Sequence, residues 1–145
     1  MITYNTILKT FEDISVNHKQ INNFGTGSID EVDTFSNEGK FPVLWVIPQR
    51  VQLGENSMIY TMRVMVFDIS ETDDSLDDEI YSDTILILND VMFILNTQPF
   101  WNKDEASVTN TPVATPFRQK FTSYCVGWYA DFDIEVPTFN NLGYC

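Results

Sequence analysis

The sequence predicts an α+β domain in which two helices pack on one face of an antiparallel sheet of about four strands. Two segments repeat apolar residues at helical spacing, and three others are β-branched and aromatic or alternate apolar with polar residues. Their order is helix, hairpin, helix, hairpin. The length of 145 residues corresponds to a single domain, residues 1–145, with an irregular tail over 137–145.

Composition excludes several classes of function. The 21 acidic residues outnumber the 8 basic ones, which gives a net charge of -13. Binding to nucleic acid or to an anionic membrane requires clustered Lys and Arg, so neither is expected. The first residues lack the pattern of a signal peptide, and the longest apolar run, Thr84–Leu88, is too short to span a membrane. Cys125 and Cys145 match no zinc or redox spacing, so we expect two thiols in a reducing compartment.

The first helix is predicted over Tyr4–Phe24. Its apolar stripe recurs every three or four residues, with Lys9 and Glu12 off the stripe, and Gly25 provides a stop. The residues of the stripe are Ile7, Leu8, Phe11, Ile14, His18 and Ile21. A polar surface loop follows over Gly25–Lys40, with a short strand or turn expected around residues 29–32.

The central hairpin consists of strands over Phe41–Leu53 and Ile59–Ile69. The second strand is apolar on both faces, so both faces must be covered. One helix layer covers one face, and we expect the other cover to come from this chain or from another subunit. Pro48 cannot donate to a ladder, which places it at a sheet edge or at a bulge.

The acidic run Ser70–Glu79 leads into the second helix. Acidic side chains in a first turn complement the helix dipole, and Ser75 with Asp78 fits a capping box. A calcium loop would require alternating Asp residues and a central Gly, which are absent from this run. The buried stripe is expected to contain Ile80, Thr84, Ile87, Leu88, Val91, Ile94 and Leu95.

Residues Phe100–Phe117 show little periodicity, which indicates either a long loop or a short edge strand around Ala106–Asn110. The last strand, Thr122–Val136, has the clearest alternation in the chain and ends in a row of carboxylates on one face. Its length favours a bend or bulge near Gly127.

No catalytic site is predicted. The single histidine, His18, falls on the apolar stripe of the first helix and is expected to be structural. Ser82 and Ser123 lie in no nucleophile motif, and neighbouring carboxylates on a solvated helix start do not meet the needs of a glycosidase. We therefore expect a protein that is not an enzyme and that uses no cofactor and no metal.

Two groups of candidate functional residues remain. Exposed aromatics are enriched at interfaces, and edge prolines mark open strands. The interface candidates are Phe100, Trp101, Trp45 and Pro48, and local packing over the end of the second helix is the alternative for Phe100 and Trp101. The second group consists of clustered carboxylates: Asp73, Asp74, Asp77, Asp78, Glu79, Asp131, Asp133 and Glu135.

The element order and texture resemble a family of small virion proteins of tailed bacteriophages. The segments that carry the resemblance are FPVLWVIPQ, MRVMVFDISETDDSLDDEIYSDTILILNDVMFIL and YCVGWYADFDIEV. They look most like neck-ring proteins of crAss-like phages that infect Bacteroidetes, whose plan is similar to that of lambda-type tail terminator (tail-completion) proteins. The loop over residues 100–117 matches nothing in that family.

The resemblance implies a homo-oligomeric ring of six or twelve copies at the head–tail junction, between portal or neck proteins and the tail. Double-stranded DNA would pass through an acidic channel without specific binding, lined by one of the two acidic groups. Two other classes stay open: an acidic DNA mimic that binds a basic nuclease or repressor, and a small ligand-binding or enzymatic domain with a polar pocket.

Overall fold

The computed structural model describes residues 2–28, 31, 40–70, 76–97, 106–120 and 124–138. Within these ranges the chain forms two helices and six strands, with most described residues in regular structure. The elements are α1 (Tyr4–Asn17), β1 (Asn23–Thr26), β2 (Val43–Leu53), β3 (Ser57–Ser70), α2 (Asp77–Thr97), β4 (Ser107–Val108), β5 (Thr115–Lys120) and β6 (Tyr124–Pro137).

The six strands form one mixed sheet in the order β1-β2-β3-β6-β4, with β5 also paired to β6. β1 runs parallel to β2, whereas the other pairs are antiparallel. The prediction of an antiparallel sheet of about four strands is therefore wrong. It missed β1, which spans the end of the predicted helix (Tyr4–Phe24) and the start of the predicted polar loop, and β5, which begins in the predicted 100–117 loop and continues to Lys120.

The first helix ends earlier than predicted because the backbone turns extended at His18, with φ -87° and ψ 125°. A capping box between Thr3 and Thr6 begins α1. Ile21 continues the apolar spacing of the helix and is buried, although it lies beyond the helix end. The spacing alone could not distinguish these two situations, and the chain uses the residues after Ile21 as a strand.

Both helices pack on the same face of the sheet, which we call the helix face. Phe11 of α1 and Phe132 of β6 are almost fully buried and meet edge-to-face, with ring centroids 6.4 Å apart. α2 buries the stripe predicted for it except for the partly buried Ile94. Trp128 of β6 donates from Nε1 to the carbonyl of Tyr81 at 2.9 Å, which ties α2 to the sheet.

The opposite face, which we call the open face, carries a second apolar cluster near the β1 end of the hairpin. Trp45 and Phe67 are buried in it, and Phe41 and Phe117 pack against it. Phe117 belongs to β5, so residues of the same chain pack over this part of the hairpin. A neighbouring subunit is not needed to cover these residues.

The hairpin formed by β2 and β3 is longer than its partner β1. β1 pairs only with Val43–Val46, and among the described residues nothing pairs with the outer edge of β2 from Ile47 to Leu53. The β2–β3 register shifts between Pro48 and Arg50. Pro48 is therefore at both an open edge and an irregularity, which confirms the prediction made from its missing N–H.

β6 runs unbroken past Gly127, and its register with β3 is continuous from Tyr124 to Pro137. The predicted bend or bulge at Gly127 is therefore wrong. The glycine serves close packing instead, because a Cβ built there would lie 2.7 Å from the Cα of Phe67 and would also collide with the carbonyl oxygen of Val66. Within the described residues, neither helix has the length and apolar character needed to cross a membrane.

Candidate functional site

The carboxylates of β6 lie on the open face, as the alternation of the sequence predicts, but two of them have partners within the sheet. Asp131 accepts from Arg63 at 2.9 Å (Nε) and 3.2 Å (Nη2), and the hydrogen bond to Asp131 raises the pKa of Arg63. The Arg63 guanidinium also lies 4.4 Å from the centre of the Tyr129 ring. The hydroxyl of Thr61 donates to Asp133 at 2.7 Å. Among the described residues, no side chain forms an ion pair with Glu135, the third carboxylate of the predicted row.

The acidic start of α2 is divided between structural and exposed carboxylates. Asp77 is buried, accepts from the Ser70 hydroxyl and from Arg118 Nε at 2.8 Å, and so joins α2 to β3 and β5. Asp78 and Glu79 are exposed. Asp77 is thus a structural residue and not the surface acid that the sequence predicted, because its carboxylate forms an ion pair with Arg118 at the start of α2. Asp73, Asp74 and Ser75 lie outside the described residues.

The interface candidates divide in the same way. Trp45 is 3% exposed and donates from Nε1 to the carbonyl of Gly27 at 3.3 Å, so its ring packs within the chain instead of facing a partner. Pro48 is exposed on the open edge of β2. Phe100 and Trp101 lie outside the described residues.

His18 has the structural role predicted for it. Its Nδ1 accepts from the backbone N–H of Gln20 at 3.1 Å, which leaves Nε2 to donate to Asp90 at 2.9 Å. The histidine therefore links the end of α1 to the middle of α2. Across the described ranges, no three His, Cys, Asp or Glu side chains are grouped so that they could hold a metal ion. Cys125 is buried in the cluster on the open face.

A cleft of about 350 Å³ opens on the open face between β2 and β5. Its floor contains Met65, Phe117 and Tyr129, and Arg63 and Gln119 contribute polar groups. The volume is near the lower limit for small-molecule sites. The guanidinium of Arg63 is already bound to Asp131, so the cleft does not present a charged group that awaits a ligand.

The end of the hairpin exposes apolar side chains that the sequence analysis did not single out. Val51 is 43% exposed and Leu53 is 78% exposed, and both lie on the helix face because they pair with Tyr60 and Met58. They alternate with Arg50 and Gln52 in the sequence. That alternation was the available signal: it marks a strand end with one apolar and one polar face.

A second apolar surface lies at the other lateral end of the sheet. It is a groove of about 310 Å³ between α2 and residues 112–114, with Ala130 and Phe132 of β6 below it. Leu86 lines the groove and is 62% exposed, and the nearby Val113 is 79% exposed. Leu86 lies outside the buried stripe of α2, which is the signal that could have identified it.

No protein-family model and no curated protein matches this chain. The helix-hairpin-helix-hairpin order on which the resemblance was based is not the order of the structure, so the surfaces described above carry the proposal that follows.

Proposed function

We propose that this chain is a structural protein of a tailed-phage virion and that it forms a homo-oligomeric ring of six or twelve copies at the head–tail junction. The observation that carries the proposal is the placement of two different apolar surfaces at opposite lateral ends of one sheet. A head-to-tail contact between unlike surfaces generates a ring when its rotation closes. The open edge of β2 next to one of these surfaces is also available to a neighbouring copy.

The distribution of charge supports a channel that DNA passes through without specific binding. α2 carries five acidic residues, Asp77, Asp78, Glu79, Asp83 and Asp90, and no basic residue. In the proposed ring its exposed acids, such as Asp78 and Glu79, face the channel and repel phosphate. The β6 row is the weaker candidate because Arg63 offsets the charge of Asp131.

The proposal is tested by mass spectrometry of purified virions and by light scattering of the isolated chain. We expect a stoichiometric virion protein and a discrete species of about 100 kDa or about 200 kDa, six or twelve copies of the 16.7 kDa chain. Portal, neck or tail proteins would be its direct neighbours. Absence of the chain from virions would contradict the proposal, whatever the oligomeric state in solution.

An acidic DNA mimic is the alternative function. It would be a monomer or dimer that binds a basic nuclease or repressor with strong salt dependence. The pairing of Asp77 with Arg118 and of Asp131 with Arg63 favours the ring, because a mimic of phosphates needs carboxylates that are not already bound. Tight, salt-sensitive capture of a basic protein by a monomeric chain would instead support the mimic.

A further inference from the structure

We propose that the hairpin end of one copy, Val51 and Leu53, docks into the groove beside α2 of the next copy. This proposal rests on the ring function and names its contact. The surface formed by Val51 and Leu53 is the hairpin end, and the groove is the cavity lined by Leu86, Met92, Pro112 and Phe132. The occupant of the groove is thus a second copy of this chain.

The register of the sheet places both surfaces in the same half of the molecule. Val51 pairs with Tyr60, Tyr60 with Ile134, and Ile134 with Val108, so one row of residues crosses from the hairpin end to β4. Phe132, in the floor of the groove, is only two residues from that row, about 7 Å along the strand. A rotation about an axis near the strand direction therefore brings the hairpin end of one copy towards the groove of the next.

Both surfaces also lie on the same side of the sheet. Val51 and Leu53 pair with helix-face residues, and the groove is bounded by α2, which packs on that face. Because the surfaces are on the same face but at opposite lateral ends, each copy has one of each to offer. This arrangement allows a heterologous, head-to-tail contact. Once the ring has closed, every hairpin end and every groove is covered by a neighbouring copy.

Charge makes the hairpin the suitable partner for the groove. In a chain of net charge -13, residues 43–70 carry two basic and two acidic side chains: Arg50, Arg63, Glu55 and Asp68. The groove borders a helix that contains only acidic charges. A neutral apolar hairpin approaches such a helix without the repulsion that other acidic segments of the chain would meet. Arg50 lies on the open face, because it pairs with Thr61, and its charge offsets that of Glu55 at the turn.

The test uses Leu53→Lys for the hairpin end and Leu86→Lys for the groove, with Val16→Lys as the matched control. All three side chains are exposed by more than 60% in one copy, so each variant is expected to fold, which circular dichroism checks. Val16 lies on α1, outside both surfaces. Each of the first two variants is expected to raise the concentration required for assembly at least about tenfold, whereas Val16→Lys leaves it unchanged.

Mixing the two defective variants tests the head-to-tail geometry directly. Leu53→Lys keeps an intact groove and Leu86→Lys keeps an intact hairpin end, so the mixture should stop at a heterodimer of about 33 kDa. A contact of the hairpin end with itself predicts instead that Leu86→Lys still dimerises alone. That result would overturn the proposal.

The outcomes also separate this contact from the ring function. If the wild-type chain forms a ring that both variants keep, the proposed contact is wrong and the ring function stands. A wild-type chain that stays monomeric at millimolar concentration, with no disulfide-linked product from Leu53→Cys mixed with Leu86→Cys, overturns the contact. The ring function is then decided by the virion composition.

Discussion

Asp77 is predicted to contribute to stability far more than its neighbour Asp78, although both occupy the first turn of α2. Asp77→Asn removes the carboxylate that Arg118 and Ser70 share, whereas Asp78→Asn changes an exposed side chain. Both substitutions lose the interaction of a charge with the helix dipole, about 0.3–1 kcal/mol. Asp78 is therefore the matched control that isolates the ion pair.

The expected loss of stability follows from the burial of the Asp77–Arg118 ion pair. The Asp77 and Arg118 side chains are 12% and 27% exposed, so solvent screens their interaction only partly. The amide oxygen of Asn can still accept from the Ser70 hydroxyl, so the expected difference between the two variants is that of one hydrogen bond between charged groups, about 1.5–3 kcal/mol. For a chain of this length the difference corresponds to about 3–10 °C in Tm.

Urea denaturation followed by circular dichroism measures both variants and, in addition, Arg118→Gln and the double variant. Because the two partners act as a unit, the double variant should lose much less than the sum of the single losses. Equal losses for Asp77→Asn and Asp78→Asn would refute the structural role of Asp77. That result would mean that Asp77 behaves as an exposed acid, as the sequence predicted.

Three further predictions concern the sheet and its core. Burial raises the pKa of Asp68, so the folded state holds this proton more tightly than the unfolded state, and stability falls as pH rises above about 3.8. Asp68→Asn should therefore stabilise the protein at pH 7 and lose that advantage below about pH 3.8. Urea denaturation at several pH values measures both effects. Gly127→Ala should cost at least about 2 kcal/mol, measured by urea denaturation, because the new methyl group meets the backbone of Phe67, and a neutral result would exclude this packing. A double-mutant cycle with Phe11→Leu and Phe132→Leu should give a coupling of about 0.5–1.5 kcal/mol from the edge-to-face pair, whereas full additivity would argue against the contact.

The elements predicted correctly are those whose burial pattern extends over several turns or many strand residues. In α2 the stripe from Ile80 to Leu95 meets the sheet along its length, so helical periodicity survives in the sequence. In β6 the helix face is apolar from Ala130 to Val136 and the open face is polar over the same span, which produces a clean alternation. A short strand around residues 106–110, one of two interpretations of that segment, is present as β4.

The two strands that the sequence did not predict, β1 and β5, contain few buried residues, so they show no hydrophobic pattern. β5 is exposed at five of its six residues, and only Phe117 is partly buried. Because neither face of β5 is buried, its sequence does not alternate apolar with polar residues, although the strand pairs with β6. β1 is four residues long and partly buried throughout. Its hydrogen bonds to β2 come from the backbone, which any non-proline residue provides, so composition does not mark it.

The burial of the hairpin also explains why the two surfaces proposed to join copies lie at the lateral ends of the sheet and not at the centre of its open face. The sequence of the hairpin is apolar on both faces, so the open face required a cover from this chain or from another subunit. That face is covered near Trp45 and Phe67 by residues of the same chain. In the hairpin, the exposed large apolar side chains are those of Val51 and Leu53, where β2 extends beyond β1. In the proposed ring the copies therefore join through the sheet ends, and substitutions on the buried open-face cluster should affect folding before they affect assembly.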